Sequence, residues 1–238
     1  MSLKGQRIVV IGGTSGIGFA VAKAALAEGA ELVVGSSNPQ NVEAAVERLG
    51  AAASGHALDV KTEADVEAFF RKVGALDHLV FTAGDWGGFR NPRPLTDTDL
   101  TEAGAGFGVR FWGALSAVKH ALPRLAQTGS IVLTNGTVAH RPQKGRPIST
   151  AMAGAIEHLT RALAVDLAPI RVNAVCPAGI RTDIWKGVPE DRLVEMTRRQ
   201  PLPRIGEPEE VAEAYLYAMR GGYTTGQVLL VDGGTTIV

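Results

Sequence analysis

Short, uninterrupted apolar runs alternate along the chain with segments whose apolar positions recur every three or four residues. Ile8-Val9-Val10-Ile11 is the first run, and a glycine-rich turn and an alanine-rich segment follow it at once. A continuous apolar run marks a strand buried on both faces, and the longer period marks a helix laid against it. The pattern predicts further strands at 31–35, 55–60, 76–81, 130–134, 170–176 and 227–231. Between them it predicts helices at 16–28, 41–49, 62–73, 97–125 and 148–168, and a last one opening at Pro208. Gly29 suits a C-cap, and Pro208 followed by Glu209 and Glu210 suits a first helical turn. Strands and helices alternating at this spacing imply a doubly wound parallel α/β sheet. The helix at 97–125 carries Gly104, Gly106, Gly108 and Gly113. Each costs roughly 1 kcal/mol against alanine, so that helix needs support from close packing.

Composition narrows the class without naming it. At 238 residues the chain has the length of one α/β domain, with no internal repeat and no low-complexity linker. Lys plus Arg and Asp plus Glu stand at 24 each, so no basic field points to nucleic acid or to an anionic membrane. Cys176 is the only cysteine, which excludes an internal disulfide. No His, Cys, Asp or Glu spacing suggests a metal. The first strand starts near Gln6, leaving no room for a signal peptide, and no apolar run spans a bilayer, so a cytoplasmic location is expected.

Chemistry enters at the turn after the first strand. Gly12, Gly16 and Gly18 follow a Gly-x3-Gly-x-Gly spacing, with Thr14, Ser15 and Ile17 between them. Glycine permits the tight turn and lets backbone N–H groups approach a pyrophosphate, while the helix start supplies partial positive charge. The stretch is a dinucleotide site. The residues after the second strand set the nucleotide. An acid there holds a ribose 2′-hydroxyl and repels a 2′-phosphate, and Ser36, Ser37 and Asn38 stand there instead. That favours NADP over NAD. A plain turn explains the same three residues.

Several segments in order resemble the short-chain dehydrogenase/reductase family over nearly the whole chain. They are the glycine turn, Leu58-Asp59-Val60, Thr82-Ala83-Gly84, Arg171-Val172-Asn173-Ala174-Val175, Pro177-Ala178-Gly179-Ile180-Arg181-Thr182, the stretch Arg204 to Ala212, and Thr225-Gly226-Gln227-Val228 with Val231-Asp232-Gly233-Gly234. The resemblance implies a single Rossmann-type domain with a seven-stranded parallel sheet and helices on both faces. It implies a nicotinamide dinucleotide across the carboxyl ends of the strands. Carried over, Asp59 and Val60 meet the adenine, and Ala83 and Gly84 lie along the ribose. Pro177, Ala178, Ile180 and Thr182 lie toward the nicotinamide. A homodimer or homotetramer is implied, with the glycine- and alanine-rich helices 97–125 and 148–168 suited to the pairing.

The family's Asn, Ser, Tyr and Lys do not match. The flank Gly154-Ala155-Ile156-Glu157 sets the register, and the four positions then hold Arg110, Gly136, Ser149 and Ala153. Tyrosine occurs only at 215, 217 and 223, so no shift of register restores a Tyr-x3-Lys pair. A serine hydroxyl is a far weaker acid than a phenol, and arginine, with a pKa above ~12, is a poor proton donor. Arg110 is expected either to project into the space of the missing lysine, toward ribose hydroxyls or an anionic substrate, or to form a salt bridge at a subunit contact. Asp85 and His140, with Ser149 and Arg110, complete the candidates for proton chemistry. An unperturbed imidazole titrates near ~6.5. His56, His78, His120 and His158 read as structural, and Trp86 as a pocket floor or a loop anchor. The segment 183–203 reads as a flap. Two functions fit best, an NADP-dependent oxidoreductase with a non-standard active site or an inactive NADP-binding sensor or partner subunit, with a non-redox lyase or isomerase reusing the pocket as a remoter third.

Overall fold

The computed structural model describes residues 2–84 and 92–238. Seven strands form one sheet: β1 (Arg7–Ile11), β2 (Glu31–Ser36), β3 (Ala53–Ala57), β4 (Leu76–Phe81), β5 (Leu125–Thr134), β6 (Arg171–Pro177) and β7 (Val228–Val231). Their order is β3-β2-β1-β4-β5-β6-β7 and every pairing is parallel. The helices are α1 (Gly16–Ala27), α2 (Pro39–Leu49), α3 (Glu63–Val73), α4 (Leu100–Phe107), α5 (Ala114–Ala121), α6 (Pro147–Asp166), α7 (Glu190–Thr197) and α8 (Pro208–Arg220). Among the described residues no helix is long and apolar enough to cross a membrane.

Alternation along the central strands builds two cores. Val9 and Ile11 of β1 face one side, with Phe69 and Phe70 of α3, Ala117 of α5 and Ile156 of α6. Ile8 and Val10 face the other, with Val21 and Ala25 of α1 and Tyr215 and Met219 of α8. This is why the strand reads as an unbroken apolar run. Alanines 20, 22 and 25 are buried on α1, so that helix lies close against α8. The guanidinium of Arg171, buried at the start of β6, donates to the carbonyls of Ala218 and Met219 at 2.6 and 2.7 Å. It thereby satisfies the last turn of α8.

The largest departures from the sequence expectation are local. β3 covers 53–57 and not 55–60, so Leu58, Asp59 and Val60 follow the strand. β5 begins at Leu125 and not 130, through polar residues that carry no strand pattern. The helix expected at 97–125 is broken: 3-10 turns at 95–97 and 122–124 flank α4 and α5, and a π-helical turn, 108–113, separates them. At that turn a Cβ on Gly113 would lie 2.8 Å from Val60 Cγ2, so the close approach requires glycine. The flap segment contains a 3-10 turn at 183–185 and α7. Leu193 is buried there, and Arg181 pairs with Glu190 at 2.9 Å.

One buried titratable group links the fold to pH. His78 on β4 bonds Ser130 Oγ through Nδ1 at 2.8 Å and Gln6 Oε1 through Nε2 at 2.9 Å. Burial, and then the nearby charge of Arg171, push its pKa down to about 4. The unfolded chain takes up this proton near pH ~6.5, the folded chain only near the lower value. Stability is therefore undiminished above about pH 6.5 and falls as the pH drops toward the lower value, by on the order of 3 kcal/mol. A His78→Gln variant is expected to lose part of its stability at neutral pH and to flatten this acid limb in urea unfolding. An acid limb as steep as that of the parent protein would refute the assignment.

Candidate active site at the carboxyl ends of the strands

The turn after β1 is fixed by backbone contacts that leave no room for side chains. Gly12 has φ +89° and Gly16 φ +50°, left-handed values that favour glycine. A Cβ on Gly12 would lie 2.5 Å from the amide nitrogen of Ala83, and one on Gly18 would overlap the Gly12 carbonyl. The Gly12 amide donates to Gly35 at 2.7 Å. The Ile11 carbonyl accepts from the amides of both Thr82 and Ala83, at 2.8 and 3.1 Å. The turns after β1 and β4 are thus held against each other. A Cβ on Gly16 would sit 3.0 Å from Thr182 Cγ2, which brings the segment after β6 to the start of α1. Ile180 bridges to Gly206, and its carbonyl accepts from Trp185 Nε1 at 2.9 Å. Ala178 donates to Val231 at 3.2 Å. Gly12, Thr14, Gly16, Gly18, Ala83, Gly84, Pro177, Ala178, Ile180 and Thr182 therefore line one end of the sheet, with exposed Ser15 and half-buried Ile17 between the glycines.

The N-terminus of α1 is open. Ser15 makes no side-chain cap and the first turn holds no acid. In contrast, Asn38 caps α2 by accepting from the amides of Gln40 and Asn41, and Asp99 caps α4. The Asn38 carbonyl oxygen is thus committed to the helix. The hydroxyls of Ser36 and Ser37 stand beside it at the end of β2. Asp59 accepts from the Lys61 amide at 3.0 Å, and Val60 points into the core against Gly113.

Arg110 lies on the π-helical turn, a distortion common at functional sites. That turn packs against α6. A Cβ on Gly84 would stand 2.5 Å from Arg110 Nη2 and 2.7 Å from its Cζ, so the guanidinium rests across the Gly84 backbone at the mouth of β4. Its charge also reaches Tyr215. The Tyr215 hydroxyl bonds Thr134 Oγ1 at 2.6 Å, and that oxygen donates to the Phe81 carbonyl at 2.7 Å, so Tyr215 is the donor of the first bond. Burial holds the phenol well above its usual pKa, against the smaller opposing effects of the Thr134 bond and Arg110. Tyr215 lies on the α8 side of the sheet, away from α6.

The other candidates are engaged elsewhere. Ser149, buried in the first turns of α6, donates to the Arg146 carbonyl at 3.2 Å. Ala153 is buried one turn on, and Gly136 has open space where a Cβ would be. His140 Nε2 pairs with Glu157 Oε1 at 2.6 Å. Asp85 and Trp86 lie outside the described residues. Sequence reading missed Glu157, Asn135 and the part of Cys176. These three come together from three elements, and no spacing announces them.

The family model described as "Enoyl-(Acyl carrier protein) reductase" matches residues 11–236. The short-chain dehydrogenase/reductase ATR9 of Stachybotrys chlorohalonatus is 37% identical over 253 aligned positions, covering 98% of each chain. The solved MalC Reductase/Diels-Alderase of Malbranchea aurantiaca superimposes with a TM-score of 0.91 at 31% identity, covering 99% of this chain and 98% of that one. A small-chain dehydrogenase solved in complex with NADPH superimposes with a TM-score of 0.82 at 33% identity, covering 99% of this chain and all of the other. The fold and the turn after β1 define a Rossmann-type α/β architecture. The chain belongs to the short-chain dehydrogenase/reductase family, whose oxidoreductase class it shares.

The glycine packing is testable against an internal control. Gly50 has the same φ as Gly12, +89°, but nothing lies within 4 Å of where its Cβ would be. Gly50 also has ψ -169°, a region essentially only glycine adopts, so Gly50→Ala is expected to cost about 1–3 kcal/mol for strain alone, and Gly12→Ala about 1–3 kcal/mol more because overlap adds to strain. Equal costs in denaturant unfolding would show that the turn relaxes freely.

Proposed function

We propose that the chain is an NADP(H)-dependent reductase that works without a Tyr-x3-Lys proton relay and uses Arg110 as the fixed cation of its active site. The observation that carries this is the Arg110 guanidinium seated across Gly84, carried by a turn that packs against α6, the helix whose Ala153 stands at the family's lysine position. In this reading the four tetrad positions are Arg110, Gly136, Ser149 and Ala153.

The residues suit the cofactor. The uncapped, acid-free start of α1 presents backbone N–H groups to a pyrophosphate. Gly16 against Thr182 forms the opposite wall. Ser36, Ser37 and the Asn38 amide group offer hydrogen bonds and no negative charge to a 2′-phosphate. The NADPH complex of a structural neighbour supports the same choice. Reduction, not oxidation, is favoured because the matching family and MalC are both described as reductases.

When bound, the cofactor supplies the hydride. Arg110 then orients a carbonyl or anionic group of the substrate and stabilises negative charge that develops on it. It holds its own proton. Ser149 keeps its hydroxyl on Arg146 and His140 its Nε2 on Glu157, so the proton comes from water. Asp85, which follows the Gly84 loop in sequence, remains a candidate to orient that water. The same commitments of Ser149 and His140 favour a second reading, a binding protein with no turnover. An assembly of two or four chains belongs to the proposal as well, and Trp112 and Val165, 61% and 82% exposed, offer apolar surface for it.

Two variants test the cofactor assignment and the part of Arg110. Ser37→Asp is expected to weaken NADPH binding at least tenfold in calorimetry while sparing NADH, and unchanged NADPH affinity would contradict the assignment. Arg110→Ala is expected to lower NADPH-linked carbonyl reduction about a hundredfold with NADPH affinity nearly unchanged. Undiminished turnover in that variant would remove Arg110 from the chemistry.

A further inference from the structure

His140 follows β5, Glu157 lies two turns along α6 from Ser149, and Cys176 ends β6. Their ligand atoms all lie within 4.8 Å of one another. Glu157 is buried, 7% exposed, and Cys176 is fully buried, while the His140 side chain is 31% exposed. Glu157 Oε1 takes His140 Nε2 at 2.6 Å and Asn135 Nδ2 at 3.0 Å, and its Oε2 lies 3.6 Å from Arg161 Nη2. The Asn135 side chain, only 4% exposed, leaves its Oδ1 with no hydrogen-bond partner at the edge of this group. An unpaired buried amide oxygen is costly, and a His–Glu pair alone does not explain it or the thiol beside it.

We propose that His140, Glu157 and Cys176 bind one divalent transition ion, zinc in the first instance. An imidazole, a carboxylate and a thiolate are a donor set suited to an ion of borderline softness. At zinc bond lengths near 2.0–2.3 Å, neighbouring tetrahedral ligands stand about 3.3–3.8 Å apart. His140 and Glu157 therefore separate by about an ångström to admit the ion, and the thiol closes from within the 4.8 Å limit. The carboxylate and thiolate together neutralise the ion's two charges, which suits a buried site. The Asn135 oxygen or a water takes the fourth position. On binding, the Cys176 sulfur–hydrogen bond breaks, its proton goes to solvent, and a sulfur–metal bond forms with no change of oxidation state. Burial, and then Glu157 and Asp232, push the free thiol up to about 12, so affinity rises with pH. The ion would tie the turn that follows β5 to α6 and to the end of β6.

The test is titration of the chelator-treated full chain with zinc in calorimetry and with cobalt(II) in absorption. The expected result is one ion per chain, a thiolate-to-cobalt charge-transfer band, and a melting temperature that rises with zinc. Cys176→Ser is expected to lose the band, and His140→Ala, at a partly exposed position, to weaken binding at least tenfold. If the cysteine variant fails to fold, the histidine variant decides alone. No stoichiometric uptake, or uptake of equal affinity in His140→Ala, would overturn the site. Because metal uptake is read without NADPH, its failure is distinguishable from failure of the proposed reductase activity.

Discussion

The close approach of two backbone turns governs the rest of this structure. The Ile11 carbonyl receives the amides of Thr82 and Ala83, and Gly12 lies so near Ala83 that a methyl group would not fit. That contact aligns the ends of β1 and β4, aims the first turn of α1 across the crevice between them, and leaves Gly84 where the Arg110 guanidinium crosses it. A parallel sheet buries both faces, so its strands can be apolar throughout and its chemistry gathers at the carboxyl ends. Here the backbone does most of the shaping.

Charge is placed around that frame with little waste. Arg171 closes the end of α8, and His78 stays neutral between Ser130 and Gln6. Arg110 brings a permanent positive charge to the mouth of β4. Glu157 brings a buried negative one behind α6, where His140, Asn135 and Arg161 answer it. A reductase on this frame relies on orientation and electrostatics, with the cofactor carrying the hard step.

Much of the fold was legible because its central strands are apolar on both faces: Ile8 to Ile11 and Leu79 to Phe81 admit no other reading. The edges were less legible. β3 is Ala-Ser-Gly-His-Ala, with no alternation to mark it, and the first half of β5 is polar. The π turn at 108–113 ends where Gly113 packs on Val60, a contact between residues far apart in sequence. In the site, the glycine turn announced itself by spacing. The grouping of His140, Glu157 and Cys176 did not, because a loop, a helix and a strand each contribute one member and only the folded topology joins them.

The most direct test of the central claim is the fate of a label. Protein incubated with NADPH deuterated at the transferable position and a set of ketones and enones is analysed by mass spectrometry. The account predicts deuterium in a reduced product, made by the parent protein and far more slowly by Arg110→Ala. NADPH that binds tightly yet passes its label to no substrate of the set would contradict it and leave a binding protein in its place.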